Sequence, residues 1–308
     1  MKPSPQSDFW HRIAWNFARA CMRAYRQMVP RFLQIFCNTM NVAELRHIQS
    51  IHETTEFRNP DTFVRHFLPE SRRQRLAKLG QWRLAMLRSH PFYYYLLART
   101  KYYDGVLLHA ISDKMQYVIS VGCGNDTRPY RFEHVLKQKG VEVLECDLPE
   151  VISNKQRMAN RLGTFDHIAY LAIDLNDGAW PDFEHWLGTH NKAKALVLIE
   201  GVSPYVNAEA FGRFLDLLAR KLPAGSRVAY DFKFRGVNDN FGRGDRTQTL
   251  LRLSGVTEEV VAYHEGLGYR LSHFEQSSDL SARLLTGLAK PNAPLFTEDG
   301  LILLEVVG

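Results

Sequence analysis

The chain contains no uninterrupted apolar run near the ~20 residues that a membrane-spanning helix needs. Its longest apolar stretches, such as Ala195 to Ile199, are strand-sized, so membrane insertion is not expected. Cysteine is scarce: Cys21, Cys37, Cys123 and Cys146 form no CxxC pair and have no metal-ligand spacing with histidine. That excludes a disulfide scaffold and leaves no metal site to expect. The start of the chain lacks a signal-peptide pattern, so the thiols read as reduced and the protein as cytoplasmic. Low-complexity tracts and internal repeats are also missing, which argues against a solenoid or a disordered chain.

What is present is an ordinary globular composition, 308 residues with 45% hydrophobic and 12% aromatic content. This is enough for one large α/β domain with an added helical region, or for two domains. The net charge of +6 is uneven. Arginine crowds the first hundred or so residues (Arg19, Arg23, Arg26, Arg31, Arg72, Arg73, Arg75), while the remainder is mildly acidic. A basic region can face nucleic acid, an anionic substrate or a partner. No nucleic-acid motif accompanies it, so a solvated arginine face on amphipathic helices is the plainer reading, and nucleic acid is not an expected partner.

Apolar residues recur at helical spacing from Phe9 to about Arg58, as in Trp10, Ile13, Ala14 and Phe17, then Met28, Phe32, Ile35 and Phe36. A second helix is expected after Asn59-Pro60-Asp61 and a third after Gly80, before the aromatic run Phe92 to Tyr95. Residues 1–112 thus read as a helical cap over substrate and cofactor. In residues 113–308 short β-branched runs alternate with amphipathic segments. Strands are expected at Tyr117–Val121, Val141–Cys146, His167–Ile173, Ala195–Ile199, Arg227–Phe232, Tyr269–Phe274 and Leu301–Val307. Helices are expected at Pro129–Lys139, Pro149–Leu162, Asp182–Leu187 and Ala208–Leu222. The pattern describes a seven-stranded, Rossmann-like, mostly parallel α/β sheet whose last strand is antiparallel.

The first strand runs into Gly122-Cys123-Gly124-Asn125-Asp126-Thr127, where paired glycines allow a tight turn and close backbone approach by a ligand. A dinucleotide site would want a further glycine where Thr127 stands. Its absence favours a diphosphate-free nucleoside such as S-adenosyl-L-methionine. The second strand ends in Glu145-Cys146-Asp147, where an acid can grip a ribose diol. Asp147, at the strand tip before Leu148-Pro149, is preferred over Glu145, and a plain helix N-cap is its alternative role. The third strand ends in Asp174-Leu175, an acid and an apolar residue suited to adenine. The fourth ends in Glu200-Gly201, and a carboxylate after five apolar residues demands a cationic partner.

These stretches, together with Ala98-Arg99-Thr100-Lys101-Tyr102-Tyr103-Asp104 and Glu200-Gly201-Val202-Ser203-Pro204-Tyr205, resemble the leucine carboxyl methyltransferase family and its relatives that O-methylate polyketide-type metabolites. The resemblance spans roughly residues 95 to 235. It implies that Arg99 pairs with the carboxylate of S-adenosyl-L-methionine, and that Gly122 and Gly124 floor its methionine part. Asp147 with Leu148 would hold the ribose, Asp174 and Leu175 would meet adenine, and Glu200 with Gly201 would meet the α-amino group. For Arg99 the plainer alternative is a surface ion pair with Asp104. Cys123 replaces the small residue usual between the two glycines, and brings a thiol open to oxidation. Ser203-Pro204 precedes Tyr205 where relatives often carry a bulky apolar residue, so the acceptor side of the cleft is reshaped there, with Tyr205 as its candidate contact.

Methyl transfer from a sulfonium is an in-line displacement that needs positioning more than proton transfer. No histidine-acid pair stands at a strand end among the twelve histidines, and His66 and His109 read as surface or packed residues. A small apolar or aromatic acid or phenol is therefore the expected acceptor, with a carboxylate or acidic hydroxyl favoured because an ordinary phenol would benefit from a base. A NAD-dependent reductase, a non-catalytic binding protein and, from the basic N-terminal region, a nucleic-acid methyltransferase are the rival readings. Acceptor choice is assigned to the cap and to the glycine-rich insert Lys233 to Arg246. Deleting the first 50 residues should abolish turnover in a methyl-transfer assay, and an unchanged rate would refute that role for the cap.

Overall fold

The computed structural model describes residues 41–237, 250–285 and 295–308. The helical pattern read over residues 9–40 and the insert residues from Asp239 to Arg246 lie outside the described residues. Among the described residues four helices precede the sheet: α1 (Val42–His52), α2 (Glu70–Ala77), α3 (Gln81–Arg88) and α4 (Pro91–Ser112). Asn41 caps α1 by accepting the Glu44 N–H at 2.9 Å. Pro91 opens α4, where a missing N–H costs nothing.

The stretch after Asn59-Pro60-Asp61 is first a 3-10 turn, Phe63–Phe67, because the Asp61 carboxylate takes the Val64 N–H at 3.0 Å. Helix α2 begins only after Pro69. The aromatic run Phe92 to Tyr95 does not stand apart from the helices. It lies in the first turns of the 22-residue α4, which continues through Arg99 and Asp104.

Eight strands follow among the described residues: β1 (Tyr117–Val121), β2 (Glu142–Asp147), β3 (Ile168–Ala172), β4 (Ala195–Ile199), β5 (Arg227–Phe234), β6 (Arg252–Leu253), β7 (Tyr269–Gln276) and β8 (Asp299–Val306). Between them lie α5 (Arg128–Arg131), α6 (Glu133–Lys139), α7 (Pro149–Ala159), α8 (Pro181–Thr189), α9 (Ala208–Lys221), α10 (Thr257–Glu265) and α11 (Ser277–Leu285). The sheet order is β3-β2-β1-β4-β5-β8-β7, with β6 beside β5. Only β8 runs antiparallel to its neighbours, β5 and β7; the remaining pairs are parallel. This is the expected Rossmann-like sheet with one added strand.

That addition, β6, is two residues long and gives no periodic signal. Lys233 and Phe234, read as the start of a loop, remain in β5 because they pair with Asp299 of β8 and Leu253 of β6. The expected single helix over Pro129–Lys139 breaks at Phe132, whose ψ of 15° ends α5 and admits α6.

Strand alternation sorts the core into two layers. Ile119, Leu144, Val197, Tyr230 and Ile302 face α8, α9 and α10, where Phe183, Phe211 and Phe214 are fully buried. Val118, Val143, Leu196, Ala229 and Leu301 face the other way. They form one continuous core with Leu96, Leu97 and Leu107 of α4, Leu45 and Ile48 of α1, and Leu280 of α11. The cap and the sheet therefore share a core, and α4 lies where it can send side chains to the carboxyl ends of β4 and β5.

One buried titratable pair belongs to the first layer. The Tyr230 hydroxyl lies 2.5 Å from His264 Nε2, and His264 Nδ1 lies 2.5 Å from the Val260 carbonyl, which suits a neutral ring. Burial lowers the His264 pKa to about 4, with the Val260 hydrogen bond opposing. An unfolded histidine takes its proton near ~6.5, so the unfolded state binds more protons between the two values and stability falls as pH falls through that window. Urea unfolding should show a loss approaching ~3 kcal/mol from this group between pH 6.5 and 4. His264→Gln should flatten that slope, and an unchanged slope would contradict it.

Candidate functional site

The sheet order reverses between β1 and β4, which opens a crevice at the carboxyl edge where open α/β sheets bind ligands. Four of the sequence-read positions stand there: Gly122 after β1, Asp147 at the tip of β2, Asp174 after β3 and Glu200 after β4. Gly122 has φ +63° and Gly124 φ +42°, both left-handed. A Cβ at Gly122 would also overlap the Val202 side chain, so only glycine brings the β1 and β4 ends this close.

Asp147 is not a helix cap, since Leu148 holds that position without a side-chain bond. Its carboxylate instead accepts the Gly124 N–H at 2.7 Å and the Leu148 N–H at 2.8 Å, which ties the glycine turn to β2. Glu145, two residues earlier on the same face, is fully buried and ion-paired with Lys155 of α7. Cys123 is buried and its thiol is pushed well above the usual range by burial, so the thiolate that oxidation requires is suppressed. The concern raised by its sequence position is removed by packing. Asp174 accepts the Asn176 N–H at 2.8 Å and starts the 3-10 turn Leu175–Asp177.

Glu200 lies between two guanidinium groups. Its Oε1 is 3.1 Å from Arg99 Nε, and its Oε2 accepts from Arg128 at 2.7 Å. Burial resists ionisation of Glu200, yet Arg128 and Arg99, and then Arg46, outweigh it and hold the carboxyl below its usual range. Arg99 is not the partner of Asp104. It is 5% exposed and pairs with Glu200 and, at 3.4 Å, with Asp231 of β5. Asp104 is taken by Arg128 at 3.0 Å and Arg131 at 2.7 Å.

Asp231 also accepts the Gly201 N–H at 2.6 Å and the Tyr103 hydroxyl at 3.0 Å, which fixes the start of the post-β4 loop. The helix α4 supplies this layer through one stripe at four-residue spacing. Tyr95 donates to Asp299, Arg99 reaches Glu200 and Asp231, and Tyr103 reaches Asp231.

Sequence reading missed Arg46, Asp126, Arg128 and Asp231. Arg128 is 2% exposed and bridges Asp104, Asp126 and Glu200. Arg46 of α1 pairs with Asp61 at 2.9 Å and donates to the Asn125 carbonyl at 2.9 Å, while its Nε has no acceptor. A signal for the α4 stripe was present in the i, i+4 spacing of Tyr95, Arg99 and Tyr103. None was present for Asp231, which sits inside a strand and is placed only by the neighbouring β4.

The crevice has two cavities that meet at Gly122 and Gly201. One, of about 270 Å³, is bounded by Arg46, Arg99, Asp126, Glu200, the Gly122–Gly124 turn and the first residues of α1. The other, of about 350 Å³, is apolar, with Leu148, Ile173, Leu175, Val202 and Val206, and carries Asp147, Asp174 and Tyr205 among its lining. A ligand with a zwitterionic end and a nucleoside end matches this division. The unpartnered Arg46 Nε, in the wall of the charged cavity, offers a donor for a carboxylate.

An open, mostly parallel α/β sheet with a crevice at its switch point defines a Rossmann-like fold. The chain belongs to the leucine carboxyl methyltransferase family, whose profile matches residues 40–219, more than half of its length. It is 28% identical over 186 residues to a provisionally named S-adenosyl-L-methionine-dependent methyltransferase of Frankia alni, covering 58% of this chain and 63% of that protein. A similarly named Mycobacterium ulcerans protein is 35% identical over 139 residues, 44% of each chain. A Streptomyces coelicolor relative is 23% identical over 251 residues, 77% of this chain and 84% of the other. The chain thus spans less than two thirds of the Frankia and Mycobacterium ulcerans proteins. Among solved structures, magnesium protoporphyrin IX methyltransferase of Synechocystis with bound SAH has a TM-score of 0.44 at 14% identity, covering 79% of this chain and 98% of that one.

Arg128→Met should cost about 3 kcal/mol or more in urea unfolding, because Asp126 and Glu200 keep buried charge with too few partners. A loss below about 1 kcal/mol would mean that these acids find water instead.

Proposed function

We propose that this chain is an S-adenosyl-L-methionine-dependent methyltransferase acting on oxygen, with a carboxylate or acidic hydroxyl of a small apolar or aromatic molecule as acceptor. The observation that carries the reading is the two-part crevice, charged on one side of Gly122 and Gly201 and apolar with acids on the other. S-adenosyl-L-methionine supplies an electrophilic methyl group on a sulfonium.

Arg46 and Arg99 would face its carboxylate and Glu200 its amino group, a match in sign for each charge. For Glu200 to meet an ammonium it gives up part of its contact with Arg99 or Arg128. Each of those guanidinium groups keeps another acid, Asp231 for Arg99 and Asp126 for Arg128, so neither is stranded. Asp147 has two oxygens, each accepting one backbone N–H and each with a lone pair left for a ribose hydroxyl. Leu148, Ile173, Leu175 and Val206 would cover the base, and Asp174 would stand at its edge.

The protein's own contribution to rate is orientation and exclusion of water, which together can supply several kcal/mol. The proposed acceptor is already ionised at neutral pH and so needs no base. Tyr205, more than half exposed at the rim of the nucleoside cavity, is assigned to the acceptor side. The working compartment is proposed to be the cytoplasm, and among the described residues no helix is long and apolar enough to cross a membrane.

Titration calorimetry should find S-adenosylhomocysteine binding in the wild type and a loss of about tenfold or more in Asp147→Ala and in Glu200→Ala, as expected for charged hydrogen bonds. Binding of NADH without S-adenosylhomocysteine would overturn the reading, and labelled methyl transfer to an aromatic acid would extend it to the acceptor.

A further inference from the structure

Beneath the glycine turn lies a buried cation with no part in the contacts assigned above. Lys155 of α7 is 1% exposed, ion-paired with the fully buried Glu145 of β2, and donates to the Cys123 carbonyl at 3.4 Å. The second oxygen of Glu145 accepts the Tyr130 hydroxyl at 2.6 Å, and that hydroxyl lies 2.9 Å from the hydroxyl of Tyr170. The cation is thus anchored to a strand, and through Tyr130 to α5.

The Cys123 carbonyl and the Gly124 N–H belong to one peptide unit. No peptide bond among the described residues is cis, so the two groups point in opposite directions. Drawing the carbonyl toward Lys155 therefore turns the N–H outward, where it meets Asp147 at 2.7 Å. The Asp126 N–H also reaches that carbonyl, at 2.7 Å, but it comes from the same turn. Glycine at 124 makes rotation of this peptide easy, since both hands of φ are open to it. A tether from outside the turn is what selects one orientation, and Lys155 is the donor that comes from another element.

We propose that Lys155 is a positioning residue for the cofactor site, setting the Cys123–Gly124 peptide and, through the Gly124 N–H, the carboxylate of Asp147 that would hold the ribose. This rests on the reading of the crevice as an S-adenosyl-L-methionine site.

The test uses the full chain with Lys155→Met/Glu145→Gln, which removes both buried charges together so that neither is left unpaired. Urea unfolding, calorimetry with S-adenosylhomocysteine and with adenosine, and the Gly124 amide resonance are read on each variant. The double variant should unfold near the wild-type midpoint, bind both ligands about tenfold or more weakly as loss of a charge-assisted contact predicts, and shift the Gly124 amide. Lys155→Arg, which keeps a cationic donor, should recover most of the affinity. Wild-type affinity, or an unmoved Gly124 amide, in a folded double variant would overturn the proposal. Lys155→Gln/Glu145→Gln restores a neutral hydrogen bond and is read the same way if the first variant does not fold. A wild type that binds neither ligand would instead sink the cofactor reading, and the Gly124 amide would then still decide the role of Lys155.

Discussion

The placement of Glu200 between Arg99 and Arg128 is the constraint on which the site depends. A carboxylate at the end of a fully buried strand is tolerable only when its charge is matched, because the desolvation cost of a lone ion is several kcal/mol. Each arginine is in turn answered by further acids, Asp231 for Arg99, and Asp104 with Asp126 for Arg128. From Asp104 the chain of pairs passes through Arg131 to Asp61 and Arg46. One connected set of charges thus joins β4, β5, α4, α5 and α1.

That connection changes what the cap is. The Thr127 hydroxyl donates to Asp61 at 2.5 Å, and Arg46 holds the Asn125 carbonyl, so the segment just after the glycines is gripped from the N-terminal side. The start of α1, with Arg46, forms one wall of the charged cavity. An i, i+4 stripe on a long helix brings the second arginine to the same place. Polar side chains on the inner face of the sheet, Ser120, Glu145 and Asp231, all lie on the side that α4, α5 and α7 cover, which leaves the opposite layer mainly apolar around the Tyr230–His264 pair.

Much of the fold was legible because buried parallel strands read as short apolar runs bounded by glycine and acids. Tyr117–Val121 and Ala195–Ile199 match their runs to the residue. Boundaries failed where pairing decided them: Lys233 and Phe234 belong to β5 only because Asp299 and Leu253 lie alongside. The two-residue β6 has too few positions for alternation to register. Helix α4 was read in pieces because its aromatic turn and its Ala98–Asp104 segment each carry a separate pattern, and only the absence of a breaker between them joins the two.

In the site, the acids at successive strand ends could be found from sequence because strand ends are one-dimensional facts. Gly122, Asp147, Asp174 and Glu200 each follow an apolar run, and the carboxyl edge collects them whatever the rest of the chain does. Their partners could not be found that way. Arg99 had Asp104 close by on the same helix, a local pairing that looked sufficient, but packing of α4 on the sheet faces Arg99 toward Glu200 and Asp231 and gives Asp104 to Arg128 and Arg131. The sequence determined which residue types stand at the sheet edge. Tertiary structure decided which charge answers which, because Coulomb pairing depends on distances between elements far apart in the chain, and those distances exist only once the helices have packed.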